Sequence, residues 1–211
     1  YGVDFLRRLG GELRVPGAPP PDVQFKGYLF LASAQGAETL RRNQATQAAH
    51  GVSWTRLLPP DELQRRFPWM NMDGIALGCL GEQSEGWFDP WALLCALRAK
   101  AAHLGVEFVC GTVEGFDLQP LNEGGGMRVR AAAVRRADGG TRRLGAASVV
   151  NAAGAFAADV VRFCGDGVAP LPVAPRKRCV FAIHCDAAQA MLPPAGATGL
   201  VVDPSGVWFR P

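Results

Sequence analysis

Apolar and polar positions follow two periods along this chain, and the clearer one is helical. Leu93, Leu94, Leu97, Ala101 and Leu104 recur at helix spacing after Asp89-Pro90-Trp91. Asp89 is a preferred N-cap because its carboxylate accepts a free backbone N–H, and Pro90 fits the first helical position. Gly105 supplies the stop, so the pattern predicts a helix from Pro90 to Leu104. Val3–Leu9 reads as a short amphipathic helix before the Pro-rich loop 15–22, and Ala37–Ala49 as a polar-faced helix ended by His50-Gly51. A third helix opens at Pro59-Pro60-Asp61-Glu62 and stops at Phe67-Pro68.

The second period belongs to strands. Gly27–Ser33, Val52–Leu58, Ile75–Leu80 and Gly86–Phe88 are short, apolar and β-favouring. Val106–Val109 is predicted to follow the Asp89 helix as a strand and to run on through Gly111-Thr112-Val113. Met127–Arg136 and Thr141–Leu144 read as a hairpin around Ala137-Asp138-Gly139-Gly140. Ala147–Asn151 is expected to be a buried strand and Gly154–Cys164 a small-residue helix. Arg178–His184, Gly199–Asp203 and Val207–Phe209 return to strand character. Residues 89–165 thus alternate as an α/β unit would, between strand-rich flanks at 1–88 and 166–211. This predicts two domains, with the chain crossing between them more than once. The first residue is Tyr1 rather than Met, and the last strand pattern ends at Arg210-Pro211, so the chain reads as an internal piece of a longer protein.

Composition narrows the function classes. Of 211 residues, 48% are hydrophobic and 19% charged, which supports a sizeable core. The net charge of +3 is too small to imply nucleic acid or a membrane surface as partner. The basic residues are almost all arginine, scattered without a stripe. Six cysteines contain no Cys-x-x-Cys pair and, with His50, His103 and His184, match no zinc pattern, so no metal is expected. A reducing compartment is the plainer reading of those cysteines. The run Ala146–Phe163 is broken by Asn151 and Asp159, so no transmembrane span is expected.

The strongest chemical candidate is the link from strand to helix at Asn151-Ala152-Ala153-Gly154-Ala155. Free N–H groups at a helix start favour negative charge, and small residues let a phosphate approach the backbone. An ordinary strand–helix connection has the same periodicity, and periodicity alone favours it. No Gly-x-Gly-x-x-Gly follows a strand, so a main phosphate loop is expected upstream of Tyr1. Gly124-Gly125-Gly126 lies in a polar loop and opens no helix. Pro175-Arg176-Lys177-Arg178 is a basic cluster that could meet a phosphate, a carboxylate or an acidic partner, but a solvated strand entry explains it more simply. Glu82, Glu85 and Asp89 could suggest an acid pair, yet Asp89 is already explained as a cap. His184 and Cys185 are adjacent on a strand and point to opposite faces, which excludes a nucleophile dyad.

Taken together, Gly86-Trp87-Phe88-Asp89-Pro90, Leu104-Gly105-Val106-Glu107-Phe108, Gly111-Thr112-Val113 and Val149-Val150-Asn151-Ala152-Ala153-Gly154-Ala155-Phe156 resemble the D-amino acid oxidase/sarcosine oxidase superfamily of FAD-dependent oxidoreductases. Arg66-Phe67-Pro68-Trp69, Glu85–Trp91 and Val173–Arg178 resemble a mitochondrial branch of it linked to assembly of respiratory complex I. The resemblance implies an α/β chain, α+β overall, taken from the interior of such a protein. It implies a glutathione-reductase-like FAD-binding domain, its middle at 89–165, interleaved with a mixed-sheet substrate domain at 1–88 and 166–211. By similarity Val113 would meet the adenine through its backbone, and Ala152, Ala153 and Gly154 would line the cofactor near the pyrophosphate. Phe156 stands where many relatives carry Trp. The same resemblance implies a matrix-side location at the inner membrane, complex I subunits or assembly intermediates as partners, and no nucleic acid. A small amine substrate is the alternative, with the protein acting as an oxidase or dehydrogenase. No catalytic residue is assigned. Arg178–His184 and Val207–Arg210 are the strands expected to border a substrate cavity.

Overall fold

The computed structural model describes residues 1–19, 21–121, 125–183 and 199–210. The chain forms two compact units, one of Tyr1–Val106 with residues 199–210 and one of Glu107–Ile183. These limits follow packing. The expected boundaries at 88 and 165 separate functional segments, a division on which packing does not bear.

The first unit is built on a five-stranded mixed sheet. Its strands are β2 (Tyr28–Ala32), β3 (Thr55–Leu58), β4 (Leu77–Gly81), β9 (Leu200–Val202) and β10 (Trp208–Phe209), in the order β10-β9-β2-β4-β3. β2 and β9 are parallel, pairing Tyr28 with Leu200 and Phe30 with Val202, whereas β2–β4, β3–β4 and β9–β10 are antiparallel. The expectation of a mixed sheet is met here. One face carries Leu29, Leu58, Leu80 and Val201, which bury against Leu63 of α4 (Pro60–Arg66) and against Phe67 and Met70. Leu63 is fully buried, and Trp69 closes the edge of this core with a T-shaped contact to Phe209 at 6.2 Å. Helix α3 (Ala37–Ala49) contacts β3 and β4, with Gln44 Nε2 donating to the Thr55 carbonyl at 3.3 Å.

A second, smaller core joins α1 (Gly2–Arg7), α2 (Leu9–Glu12) and α5 (Pro90–His103) through Leu9, Leu13, Ala96 and Leu93. The cap expected at Asp89 is present. Its Oδ1 accepts from the Trp91 N–H at 2.8 Å and the Ala92 N–H at 3.3 Å. β1 (Val23–Gln24) pairs with β5 (Trp87–Phe88) beside this core.

The second unit is an antiparallel meander of β6 (Thr112–Pro120), β7 (Met127–Arg135) and β8 (Thr141–Gly145), followed by a 3-10 turn at Gly154–Phe156 and by α6 (Ala157–Arg162). The β7–β8 hairpin lies where the turn residues predicted it. β6 reaches far beyond Val113, because its ladder to β7 shifts register between Val113 and Gly115 and again between Asp117 and Leu118. Each bulge resets the side-chain alternation, which hides the strand from a period-two reading. Phe116 meets Phe163 edge to face at 6.0 Å.

Several sequence expectations are overturned. Val106–Val109 and Ala147–Asn151 join no sheet among the described residues. Val150 is 87% exposed, so the latter segment is not a buried strand. Apolar character favours a strand but cannot supply a partner to pair with. The expected helix at Gly154–Cys164 opens as a 3-10 turn and ends at Arg162. Arg178–Ile183 is exposed and forms no strand among the described residues, while His184 and Cys185 lie outside the described residues.

Candidate functional site

The link from Asn151 to α6 owes its shape to a side-chain amide. Asn151 Oδ1 accepts from the Ala153 N–H at 3.2 Å, and Asn151 Nδ2 donates to the Ala157 carbonyl at 2.8 Å. Asparagine favours such local turns, so the residue pins both ends of Ala152–Phe156. Gly154 sits at φ +55°, a left-handed backbone that side-chain-bearing residues adopt only with strain, and nothing lies within 4 Å of where its Cβ would be. Ala152 and Ala155 are exposed, and Phe156 is 65% exposed. The turn therefore offers open backbone framed by small side chains and one aromatic ring. The short α6 supplies only a weak dipole, so close backbone approach is the feature that persists from the phosphate-cradle argument.

Val113 belongs to the same unit. It lies at the start of β6, opposite Val134 of β7, and β6 is the outer strand of its sheet. Alternate N–H and C=O groups along an outer strand have no ladder partner, which suits a backbone contact to a planar base. Thus all five expected cofactor contacts, Val113, Ala152, Ala153, Gly154 and Phe156, fall within 107–183. A cleft of about 310 Å³ opens beside α6, lined by Ala158, Val161, Arg162, Val168, Pro170 and Leu171.

Elsewhere the candidates sort themselves. Asp89 is committed to its cap, and Arg176–Arg178 form an exposed stretch outside any strand. Glu82 pairs with Arg66 at 2.5 Å. Glu85 behaves differently: it is half-buried, and burial pushes its carboxyl up from the usual range, against the lowering effects of the Trp54 indole and the Tyr28 backbone N–H. Neither the role of Asn151 as organiser of its turn nor the half-burial of Glu85 follows from the periodicity of the sequence. An asparagine two residues ahead of a small-residue turn signals the first, and a carboxylate between Gly81 and Gly86 the second. Among the described residues no group of His, Cys, Asp and Glu could hold a metal ion, and no helix is long and apolar enough to cross a membrane.

With this geometry in view, the pattern of the FAD-dependent oxidoreductase (DAO) family matches residues 1–211, the whole chain. The protein belongs to that family. It is 36% identical over 228 residues to the FAD-dependent oxidoreductase domain-containing protein 1 of Bos taurus, covering 100% of this chain and 46% of the relative. The Drosophila melanogaster homolog is 35% identical, with 100% of this chain and 43% of the relative covered. The chain therefore spans about half the length of the relatives it matches. In structure it is similar to the L-proline dehydrogenase of P. horikoshii, with TM-score 0.64 and 20% identity over 95% of this chain and 47% of that one. Glycine oxidase from Bacillus cereus follows, with TM-score 0.61 and 16% identity over 76% of this chain and 41% of that one. At these identities the likeness shows the fold, and the fold is that of the FAD oxidoreductases of this type.

Family membership implies FAD, and two features of the 107–183 unit would suit part of it. The exposed small-residue turn has room for a group against its backbone, and the outer strand carrying Val113 has unpaired backbone groups.

Proposed function

We propose that this member of the family holds FAD through Val113, Ala152, Ala153, Gly154 and Phe156, and that the whole protein serves the assembly of mitochondrial respiratory complex I. The observation that carries the cofactor reading is the Asn151-pinned turn, with its left-handed Gly154 and open backbone. The assembly reading is supported by the full-chain match to FAD-dependent oxidoreductase domain-containing protein 1, together with the branch-like motifs Arg66–Trp69, Glu85–Trp91 and Val173–Arg178. It carries with it a matrix-side location and complex I subunits or intermediates as partners. FAD, when bound, supplies the two-electron redox chemistry; the chain's part is to hold it, orient a substrate and exclude water.

The test of the cofactor site is the visible absorption of the whole protein and of two variants. Gly154→Val is expected to lose the flavin band, since a β-branched residue resists φ +55° and its side chain enters the space in front of the turn. Gly154→Asn is expected to fold normally and isolates the effect of the added side chain, because asparagine tolerates that backbone. Normal flavin content in Gly154→Val would remove this turn from the reading. For the assembly role, cells lacking the protein are expected to accumulate partly built complex I on native gels, and normal complex I levels would overturn it.

The fold likeness to an L-proline dehydrogenase and a glycine oxidase favours a second reading, oxidation of an amine or amino acid. Bleaching of the flavin band by a small amine under anaerobic conditions would establish it.

A further inference from the structure

The turn between Gly81 and Gly86, where β4 leaves the mixed sheet for β5 and α5, is held from several sides, the Glu82 N–H donating to the Trp54 carbonyl at 3.2 Å. Arg7 Nη2 donates to Ser84 Oγ at 2.8 Å, and the Gly27 N–H donates to the Glu85 carbonyl at 3.0 Å. The Gly86 backbone lies so close to Gln24 that an added Cβ would stand 1.9 Å from the Gln24 carbonyl oxygen. Ser84 has φ +61°, the one positive value at a non-glycine position among the described residues. Such a conformation persists only where its surroundings impose it.

At the centre sits the Glu85 carboxyl. A Cβ on Gly81 would lie 2.2 Å from Glu85 Oε2, so the carboxyl occupies the space that the missing side chain leaves. Strand register puts Tyr28 and Thr55 on either side of Gly81, with their side chains on the same sheet face. Two buried polar atoms lie at this end of β3: the Trp54 indole N–H is directed at the Glu85 carboxyl without closing a hydrogen bond of standard geometry, and Thr55 Oγ1 has no hydrogen-bond partner among the described residues. Thr55 is 7% exposed.

The groups around Glu85 offer it no counter-charge. From β4 it faces the Cys79 thiol, whose pKa is raised by burial and then by Glu85 itself. The Tyr28 hydroxyl of β2 donates to the Gly86 carbonyl at 3.1 Å. α3 brings the neutral Gln44, already bonded to the Thr55 carbonyl. Arg66 of α4 is paired with Glu82, and Arg7 of α1 is engaged by Ser84 and Asp4. No ion pair joins Glu85 to a cation among the described residues.

We infer that Glu85 is a proton-dependent latch: seated over Gly81 against Trp54 and Thr55, its carboxyl holds the 82–86 turn on the end of the mixed sheet, and the turn loosens when the proton leaves. The Trp54 indole and the Tyr28 backbone N–H favour the charged form, but burial outweighs them, so an ionised carboxylate without a cation leaves its half-buried seat for water, and leaving requires the strained turn to open. The sign follows from linkage. Burial raises the folded-state pKa above the unfolded one, so the stabilisation is fully present below the unfolded value and is lost as pH rises through the folded value. The latch does not depend on the cofactor reading.

Amide hydrogen exchange on the whole protein tests it, with protection corrected for the intrinsic pH dependence. In the wild type, protection of residues 82–88 is expected to be highest at about pH 4, near the ordinary carboxylate value, and to fall by about threefold to tenfold as pH rises through the raised Glu85 value, while β7 changes little. Glu85→Gln, which keeps the shape and cannot ionise, is expected to give a flat profile. Trp54→Phe removes a donor that favours the charged form, so its loosening is expected at higher pH than in the wild type. A flat wild-type profile, a Glu85→Gln profile that still falls, or an unshifted Trp54→Phe midpoint would each overturn the latch.

Discussion

The two units of this chain differ in how much apolar surface they enclose. Among the described residues, every member of the buried hydrophobic core except Val134 lies in Tyr1–Val106 or in β9. The unit of Glu107–Ile183 leaves Val113, Val149, Val150, Phe156, Val180 and Phe181 exposed. Its meander is joined by ladder hydrogen bonds and carries exposed pairs of arginine with carboxylates, Glu114–Arg135, Asp117–Arg143 and Glu107–Arg142, as the first unit also does. The first unit encloses a core on one face of its mixed sheet, whereas the second buries only Val134 among its described apolar residues.

The sharpest way to break this comparison uses two glycines with left-handed backbones. Gly27 has φ +84°, and a Cβ there would stand 2.2 Å from the Gly81 carbonyl oxygen, a backbone atom that cannot swing aside. Gly27→Ala is expected to prevent stable folding, read as loss of soluble protein or of a cooperative thermal transition. Gly154→Ala meets open space and is expected to cost only the backbone strain, about 1–2 kcal/mol. Equal effects at the two positions would mean that the second unit is packed as tightly as the first.

Core truncation follows in size. Leu63→Ala removes a side chain with 0% exposure and is expected to cost about 2–5 kcal/mol in denaturant unfolding. Val150→Ala, at 87% exposure, should stay within about 0.5 kcal/mol. A large loss at Val150 would show that the whole protein covers this segment.

Smaller effects sharpen the local picture. Asp89→Ala should cost about 1 kcal/mol through its lost cap bonds, without selective loss of flavin. Flavin loss at unchanged stability would give Asp89 a functional role. Arg143→Gln, which breaks an exposed pair with Asp117, should change stability by less than about 1 kcal/mol. A larger cost would mean that ion pairs do in the second unit what burial does in the first.

How much was legible depended on how local the cause was. The Asp89 cap and the Gly105 stop act within a few residues, and α5 forms between them. The β7–β8 hairpin is equally local, written in its turn residues. β6 was seen only at its first two residues because two bulges break its alternation. Val106–Val109 and Ala147–Asn151 have good strand composition but no partner strand among the described residues. At the candidate site the small residues of Ala152–Gly154 were visible, but the role of Asn151 depends on a bond to Ala157 that spans the turn.

The sequence by itself determined the family, the helices with explicit caps and stops, and the absence of a metal-ligand pattern, because these rest on residue identity and short-range geometry. Tertiary structure alone decided which apolar residues are core, where β6 ends, and that Glu85 is half-buried beside Trp54. Burial and pairing are properties of what stands opposite a residue, and in a mixed sheet such as β10-β9-β2-β4-β3 that neighbour can be more than a hundred residues away, as Leu200 is from Tyr28.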